Sequence, residues 1–109
     1  MPYNVDEITV QELKRLLDQG VHTKLVDVRE EYEFQFCRIE GSRLIPLSEI
    51  PTRAADLNPA DRYVVYCHTG SRSALATLFL QRMGFTSVKN LKGGIDQWAA
   101  EVDHSMPRY

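Results

Sequence analysis

Tyr63-Val64-Val65-Tyr66-Cys67-His68-Thr69-Gly70-Ser71-Arg72-Ser73, running on into Ala74-Leu75-Ala76-Thr77-Leu78-Phe79-Leu80-Gln81-Arg82-Met83, is the stretch that decides how the chain reads. Its first four residues are apolar, β-branched or aromatic, the pattern of a short buried strand. Its last ten are rich in strong helix formers, and Gly84 stands at the C′ position that ends such a helix. Cys67 therefore falls where a strand stops and a helix starts. Backbone N–H groups at a helix start are unpaired and point one way, and the helix dipole adds positive potential there. Those groups, with the positive charge of Arg72, favour an anionic sulfur. Gly70 gives the loop the freedom to curl so that several N–H groups converge. A lone cysteine at a strand end is ordinarily a small core residue. Gly70, Arg72 and the helix start are what turn Cys67 into a candidate nucleophile for something anionic.

The rest of the chain sets bounds on that chemistry. With 109 residues and 43% hydrophobic content it has enough apolar material for one core, read as a single domain over residues 1–109 with its body at about 5–102 and a tail at 103–109. Lys+Arg 13 against Asp+Glu 15 gives a net charge of −2, which argues against general nucleic-acid binding and against a polybasic membrane patch. No apolar run approaches the roughly 18 residues of a membrane helix. Met1-Pro2-Tyr3-Asn4-Val5-Asp6 lacks the charged and apolar regions of a signal peptide. Cys37 and Cys67 make neither a disulfide framework nor a zinc spacing, so a reducing, cytoplasmic location is expected.

Outward from the loop, strands and helices alternate. Glu7-Ile8-Thr9-Val10 reads as a short edge strand entering a helix, with Thr9 and Glu12 as a capping box and Gly20 as the stop. Val10, Leu13, Leu16 and Leu17 form that helix's apolar face. Leu25-Val26-Asp27-Val28 reads as a buried strand, and Glu30–Phe36 as a short helix. Asp27 and Arg29 form a charged pair at the strand's C-terminal end, either fixing the following turn or serving the site. Either way they belong at the sheet end that carries Cys67, where ligand sites of parallel α/β sheets gather. Arg43-Leu44-Ile45 reads as a third strand, Ser48 as the N-cap of a helix over residues 49–55, and Ser87–Leu91 as the last strand. Gly93-Gly94 leads into a helix with Ile95, Trp98, Ala99 and Val102 on one face, and the segment 103–109 has no periodicity and is expected on the surface. Alternation of this kind predicts an α/β fold, a parallel sheet with helices on both faces.

Three stretches together resemble the single-domain rhodanese-like sulfurtransferases over roughly Val5 to Trp98. They are Leu25-Val26-Asp27-Val28-Arg29 with Glu33-Phe34, Ile39-Glu40-Gly41-Ser42 and Ile45-Pro46; the loop Cys67 to Arg72; and Leu91-Lys92-Gly93-Gly94-Ile95-Asp96-Gln97-Trp98. Cys37-Arg38-Ile39 and Pro107-Arg108-Tyr109 also look like the rhodanese domains fused behind E1-like adenylyltransferases of molybdopterin and thiamine biosynthesis. Many members of the family have Gly-His where this chain has Cys37-Arg38, a departure that leaves the proposed nucleophile untouched. The resemblance implies a rhodanese-like fold with a five-stranded parallel sheet. It implies that Cys67 takes the outer sulfur of thiosulfate or of a protein persulfide and passes it, as a persulfide, to a thiophilic acceptor such as cyanide, a thiol or a sulfur-carrier protein. The chemistry it implies uses no metal and no cofactor.

On that reading the N–H groups from His68 to Ser73 hold the persulfide and Arg72 draws in the anionic donor. Thr69, Ser71 and Ser73 can offer hydroxyl donors, and His68 at the mouth either tunes donor choice or is simply a loop residue. Two alternatives stand beside it. One is a sulfur-carrier or protein-interaction module with little turnover of its own. The other is a cysteine phosphatase or arsenate reductase, disfavoured because Cys67 to Arg72 is Cys-x4-Arg, a smaller cradle than the Cys-x5-Arg of the phosphatases that share this fold.

Overall fold

A computed structural model describes residues 5–109; Met1–Asn4, part of the stretch read as lacking a signal pattern, lie outside them. Strand β4 (Arg62–Tyr66) carries the apolar run before Cys67, and it is central for the reason its sequence suggests. Tyr63, Val64, Val65 and Tyr66 are all buried, so both faces of the strand are covered. β4 pairs in parallel with β5 (Ser87–Leu91) on one side and β2 (Lys24–Asp27) on the other. β1 (Glu7–Ile8) lies outside β5 and β3 (Arg43–Leu44) outside β2, giving a five-stranded parallel sheet in the order β1-β5-β4-β2-β3.

Alternation along the strands sends their side chains into two cores. Val26, Tyr63, Val65 and Val88 pack with Ile50 and Ala54 of α3 (Ile50–Arg53) and its extension, and with Ala76 and Leu80 of α4 (Ser71–Arg82). Leu25, Val64, Tyr66 and Leu91 pack with Val10 and Leu13 of α1 (Val10–Asp18), and with Ile95 and Trp98 of α5 (Gly94–Glu101). α1 starts at the expected capping box: Glu12 N donates to Thr9 Oγ1 at 3.1 Å and Thr9 N donates to Glu12 Oε1 at 2.9 Å. The short helix α2 (Glu31–Phe36) follows β2. No helix among the described residues is long and apolar enough to cross a membrane.

Two expectations need correcting, and a third needs extending. Ser48 is not an N-cap: Pro46 starts a 3-10 turn at Leu47–Glu49 that runs straight into α3, so Ser48 already lies inside a helical turn. The helix expected over residues 49–55 is accordingly split, α3 giving way to a second 3-10 turn at Ala54–Asp56. The segment after residue 102 lies at the surface as expected, yet it is not passive, because Arg108 forks onto Asp96 at 3.0 Å and Tyr109 reaches the Cys67 loop.

Candidate active site

β4 ends at Tyr66 and α4 begins at Ser71, so the whole turn is Cys67-His68-Thr69-Gly70 and Arg72 and Ser73 belong to the first turn of the helix. The helix start thus comes closer to the sulfur than a helix beginning at Ala74 would allow. Gly70 is the N-cap, with φ +110°, a left-handed conformation that costs glycine nothing. That turn folds the backbone over the Cys67 side chain. Gly70 N donates to Cys67 Sγ at 3.1 Å, Ser73 N at 3.4 Å, and Ser73 Oγ lies 3.2 Å from the same sulfur. Cys67 itself is buried, 1% exposed.

The Ser73 hydroxyl has one proton and two neighbours. Asn90 Oδ1, on β5, is 2.5 Å away, while Asn90 Nδ2 donates to Gly70 O at 3.1 Å. Ser73 therefore gives its proton to Asn90 while accepting from a Cys67 thiol, or turns it toward an anionic sulfur. Asn90 serves as the brace of the loop, a function its sequence position did not announce. Of the hydroxyls expected to help, only Ser73 reaches the sulfur. Thr69 and Ser71 point out to solvent, and among the described residues neither bonds to Cys67.

The other wall of the loop comes from α5. Its N-terminal amides Ile95 N and Asp96 N donate to Cys67 O at 2.9 Å and His68 O at 3.0 Å. A Cβ at Gly94 would lie 2.4 Å from His68 O and 2.6 Å from Cys67 O, so only glycine lets the helix come this close. The Gly93-Gly94 pair is thus part of the site's construction.

Arg72 does not stand free. Its Nη1 and Nη2 donate to Glu33 Oε1 and Oε2 at 2.8 and 3.0 Å, and its side chain is about one-third exposed. This forked pair, first of all, holds the guanidinium in its charged form, and the Cys67 sulfur adds to the effect. The Glu33 carboxyl is pulled down to about 2, chiefly by Arg72, with Glu30 N and the Tyr109 hydroxyl as further donors.

Asp27 and Arg29 lie at the expected sheet end, since Asp27 is in register with Tyr66. Both are completely buried. Arg29 Nε and Nη2 donate to the Asp27 carboxylate at 2.7 to 3.1 Å, Arg29 N donates to Asp27 Oδ1 at 3.0 Å, and Nη2 also donates to Cys37 O at 2.6 Å. The pair fixes its turn, and it also extends toward the site: Arg29 Nη1 donates to Tyr109 Oη at 2.8 Å, and Tyr109 Oη donates to Glu33 Oε2 at 2.7 Å. A continuous chain Asp27–Arg29–Tyr109–Glu33–Arg72 results. Tyr109 also stacks on His68, ring centroids 3.9 Å apart and planes 8° from parallel. Glu33, Asn90 and Tyr109 are the residues that reading the sequence missed as members of the site. Cys37 and Cys67 are both free, and Cys37 Sγ points at Pro107 O, 3.8 Å away.

A parallel α/β sheet whose central strand delivers a cysteine into a helix-start cradle defines a class of enzymes and carriers that work through a cysteine sulfur. The Rhodanese-like domain model matches residues 9–101, and the chain belongs to that family of sulfurtransferases and sulfur carriers. Among curated proteins it is 39% identical to the probable adenylyltransferase/sulfurtransferase MoeZ of Mycobacterium tuberculosis, over 94% of this chain and 26% of that protein. It is 32% identical to the putative sulfur carrier protein YrkF of Bacillus subtilis, over 92% of this chain and 54% of that protein. The chain thus spans about a quarter to about half the length of these relatives. The structure of the human single-domain sulfurtransferase TSTD1 superposes with a TM-score of 0.80 at 26% identity, covering 90% of this chain and 98% of the other.

Proposed function

We propose that the protein is a sulfurtransferase in which Cys67 carries sulfane sulfur as a persulfide. One observation bears most of the weight: Gly70 N, Ser73 N and Ser73 Oγ converge on Cys67 Sγ from a single tight turn at a helix start. The Cys67 thiolate attacks the outer sulfur of thiosulfate. The sulfur–sulfur bond of the donor breaks, sulfite leaves with the electron pair, and Cys67-S-S⁻ remains. A thiophile such as cyanide then attacks the terminal sulfur and returns the thiolate. A protein persulfide can load Cys67 by the same displacement, and a sulfur-carrier protein or a small thiol can unload it.

The amides of the turn suit this cycle because negative charge stays on sulfur throughout, and fixed dipoles stabilise it without reorganising. The cradle spans four residues between Cys67 and Arg72, a size that supports one sulfur atom over a tetrahedral phosphate. The expected site of action is the cytoplasm, where a thiol of this kind stays reduced.

Cys67→Ser is expected to abolish thiosulfate:cyanide sulfurtransfer while the domain stays folded, because a serine hydroxyl forms no persulfide. A folded variant that retains more than about one-hundredth of the activity contradicts the assignment. A phosphate-release assay on the same protein separates the reading from a cysteine phosphatase. Slow thiosulfate turnover with rapid loading from a protein persulfide identifies the carrier form of the same chemistry.

A further inference from the structure

We propose that Tyr109 is a positioning residue of the sulfur site: it holds Glu33, and through Glu33 it aims the Arg72 guanidinium at anionic reagents approaching Cys67. The substrate side of this inference rests on the sulfurtransferase reading, and its geometry does not.

Tyr109 is 44% exposed, so burial of its ring is not what keeps it in place. Three neighbours locate it. The salt bridge between Arg108 and Asp96 ties the preceding residue to the start of α5. Phe36 meets the Tyr109 ring edge-on at 5.7 Å, and His68 stacks on it. These contacts deliver the hydroxyl to a point between a buried cation and a carboxylate.

The direction of the two hydrogen bonds follows from the chemistry of the groups. Arginine can only donate, so the hydroxyl accepts from Arg29 Nη1, and its single proton is left for Glu33 Oε2. The phenol keeps that proton across the physiological range, its pKa pushed up to about 12 chiefly by burial. Arg29, with no exposed surface and its other donors on Asp27 and Cys37 O, is a rigid anchor. Glu33 sits on the six-residue helix α2, and its carboxylate is the group that the hydroxyl links to that anchor.

Arg72 depends on how that carboxylate is shared. Glu33 Oε1 accepts from Glu30 N and Arg72 Nη1, and Oε2 accepts from Arg72 Nη2 and Tyr109 Oη. Donation from Tyr109 draws negative charge from Oε2 and fixes the plane of the carboxylate. The guanidinium is then held at one angle, and it keeps more of its positive field for an anion on its solvent side. Without the hydroxyl, Oε2 has only Arg72 to satisfy it, so the carboxylate takes a larger share of the charge and the fork is free to tilt. The amides that reach the sulfur, Gly70 N and Ser73 N, make no hydrogen bond to the Tyr109 hydroxyl.

The test compares alkylation of Cys67 by iodoacetate, an anion, and by iodoacetamide, its neutral counterpart, followed on the Cys67 peptide so that Cys37 does not contribute. Tyr109→Phe keeps both ring contacts and removes only the hydroxyl. It is expected to lower the iodoacetate-to-iodoacetamide rate ratio roughly three- to tenfold, the worth of one hydrogen bond. The neutral reagent should react at an unchanged rate. In an Arg72→Ala background the same substitution should change the ratio no further, since nothing remains to aim. An unchanged ratio in Tyr109→Phe overturns the proposal. So does an equal loss with both reagents, which would mark Tyr109 as loop packing, and so does a full additional loss in the Arg72→Ala background. Alkylation requires no persulfide. If neither thiosulfate nor a protein persulfide changes the parent protein's mass, the sulfurtransferase reading fails while the rate ratio still decides the role of Tyr109.

Discussion

The Cys67 sulfur and the Arg72 guanidinium lie five positions apart in one turn, and they are supported in opposite ways. The sulfur takes its donors from Gly70 and Ser73, three and six residues away. The guanidinium takes its partner from Glu33, 39 positions away, and Glu33 is braced by Tyr109, 76 positions beyond it. The donors to the sulfur thus come from the turn and helix start themselves, with Asn90 and the start of α5 bracing that loop from outside. The aim of Arg72 is a property of tertiary assembly. Its chain of partners starts at the buried pair Asp27–Arg29 and ends at the surface. On the proposed reading, a site divided this way keeps its nucleophile constant while its selectivity for the approaching reagent is adjustable from outside the loop.

The largest effect that would sharpen this contrast is expected at the buried end of the chain. Asp27→Ala leaves Arg29 as an unpaired cation with no exposed surface, and breaking such a pair costs about 3–5 kcal/mol. A urea titration should show the midpoint falling with little change in slope. A loss below about 1 kcal/mol would show that water or a rearranged Arg29 replaces the partner, and the anchor would not be rigid.

A smaller, functional effect is expected at Arg72. Arg72→Ala should lower kcat/KM for thiosulfate about ten- to a hundredfold, the loss of one charge-assisted contact of roughly 1.5–3 kcal/mol. Arg72→Lys should fall between, because the ammonium keeps the charge but cannot fork across both Glu33 oxygens. If folded Arg72→Ala matches the parent, the amide cradle alone does the work and the second half of the contrast disappears.

The smallest effect is expected at Cys37. Its sulfur faces Pro107 O, outside the cradle, so Cys37→Ser should leave single-turnover persulfide formation unchanged. Loss of persulfide formation in a folded variant would place a second thiol in the chemistry.

The same division governs what could be read from the residues. The run Tyr63–Tyr66, the helix formers after Ser73 and Gly70 between them carry strand, turn and helix in their own local pattern, so the placing of Cys67 followed directly, and the alternation of strands and helices along the chain led to the parallel sheet with helices on both faces. Asp27 and Arg29 were legible as a pair at the right sheet end, because a charged pair closing an apolar strand is conspicuous. Their extension to Tyr109 was not. Glu33 looks like one more acid in Glu30-Glu31-Tyr32-Glu33, and nothing local says that it alone turns inward. Asn90 stands in a strand pattern that does not tell that its amide is buried and faces the Cys67 loop. Ser48 was misread because a serine before Glu49 resembles a cap, whereas Pro46 had already begun a tighter 3-10 turn.

The central claim is that Cys67 carries sulfur, and intact mass after incubation with thiosulfate tests it most directly. The expected result is a gain of one sulfur atom that maps to Cys67, is removed by cyanide or reductant, and is absent in Cys67→Ser. An unchanged mass with both thiosulfate and a protein persulfide as donors, in a folded protein whose Cys67 still reacts with iodoacetamide, would contradict it.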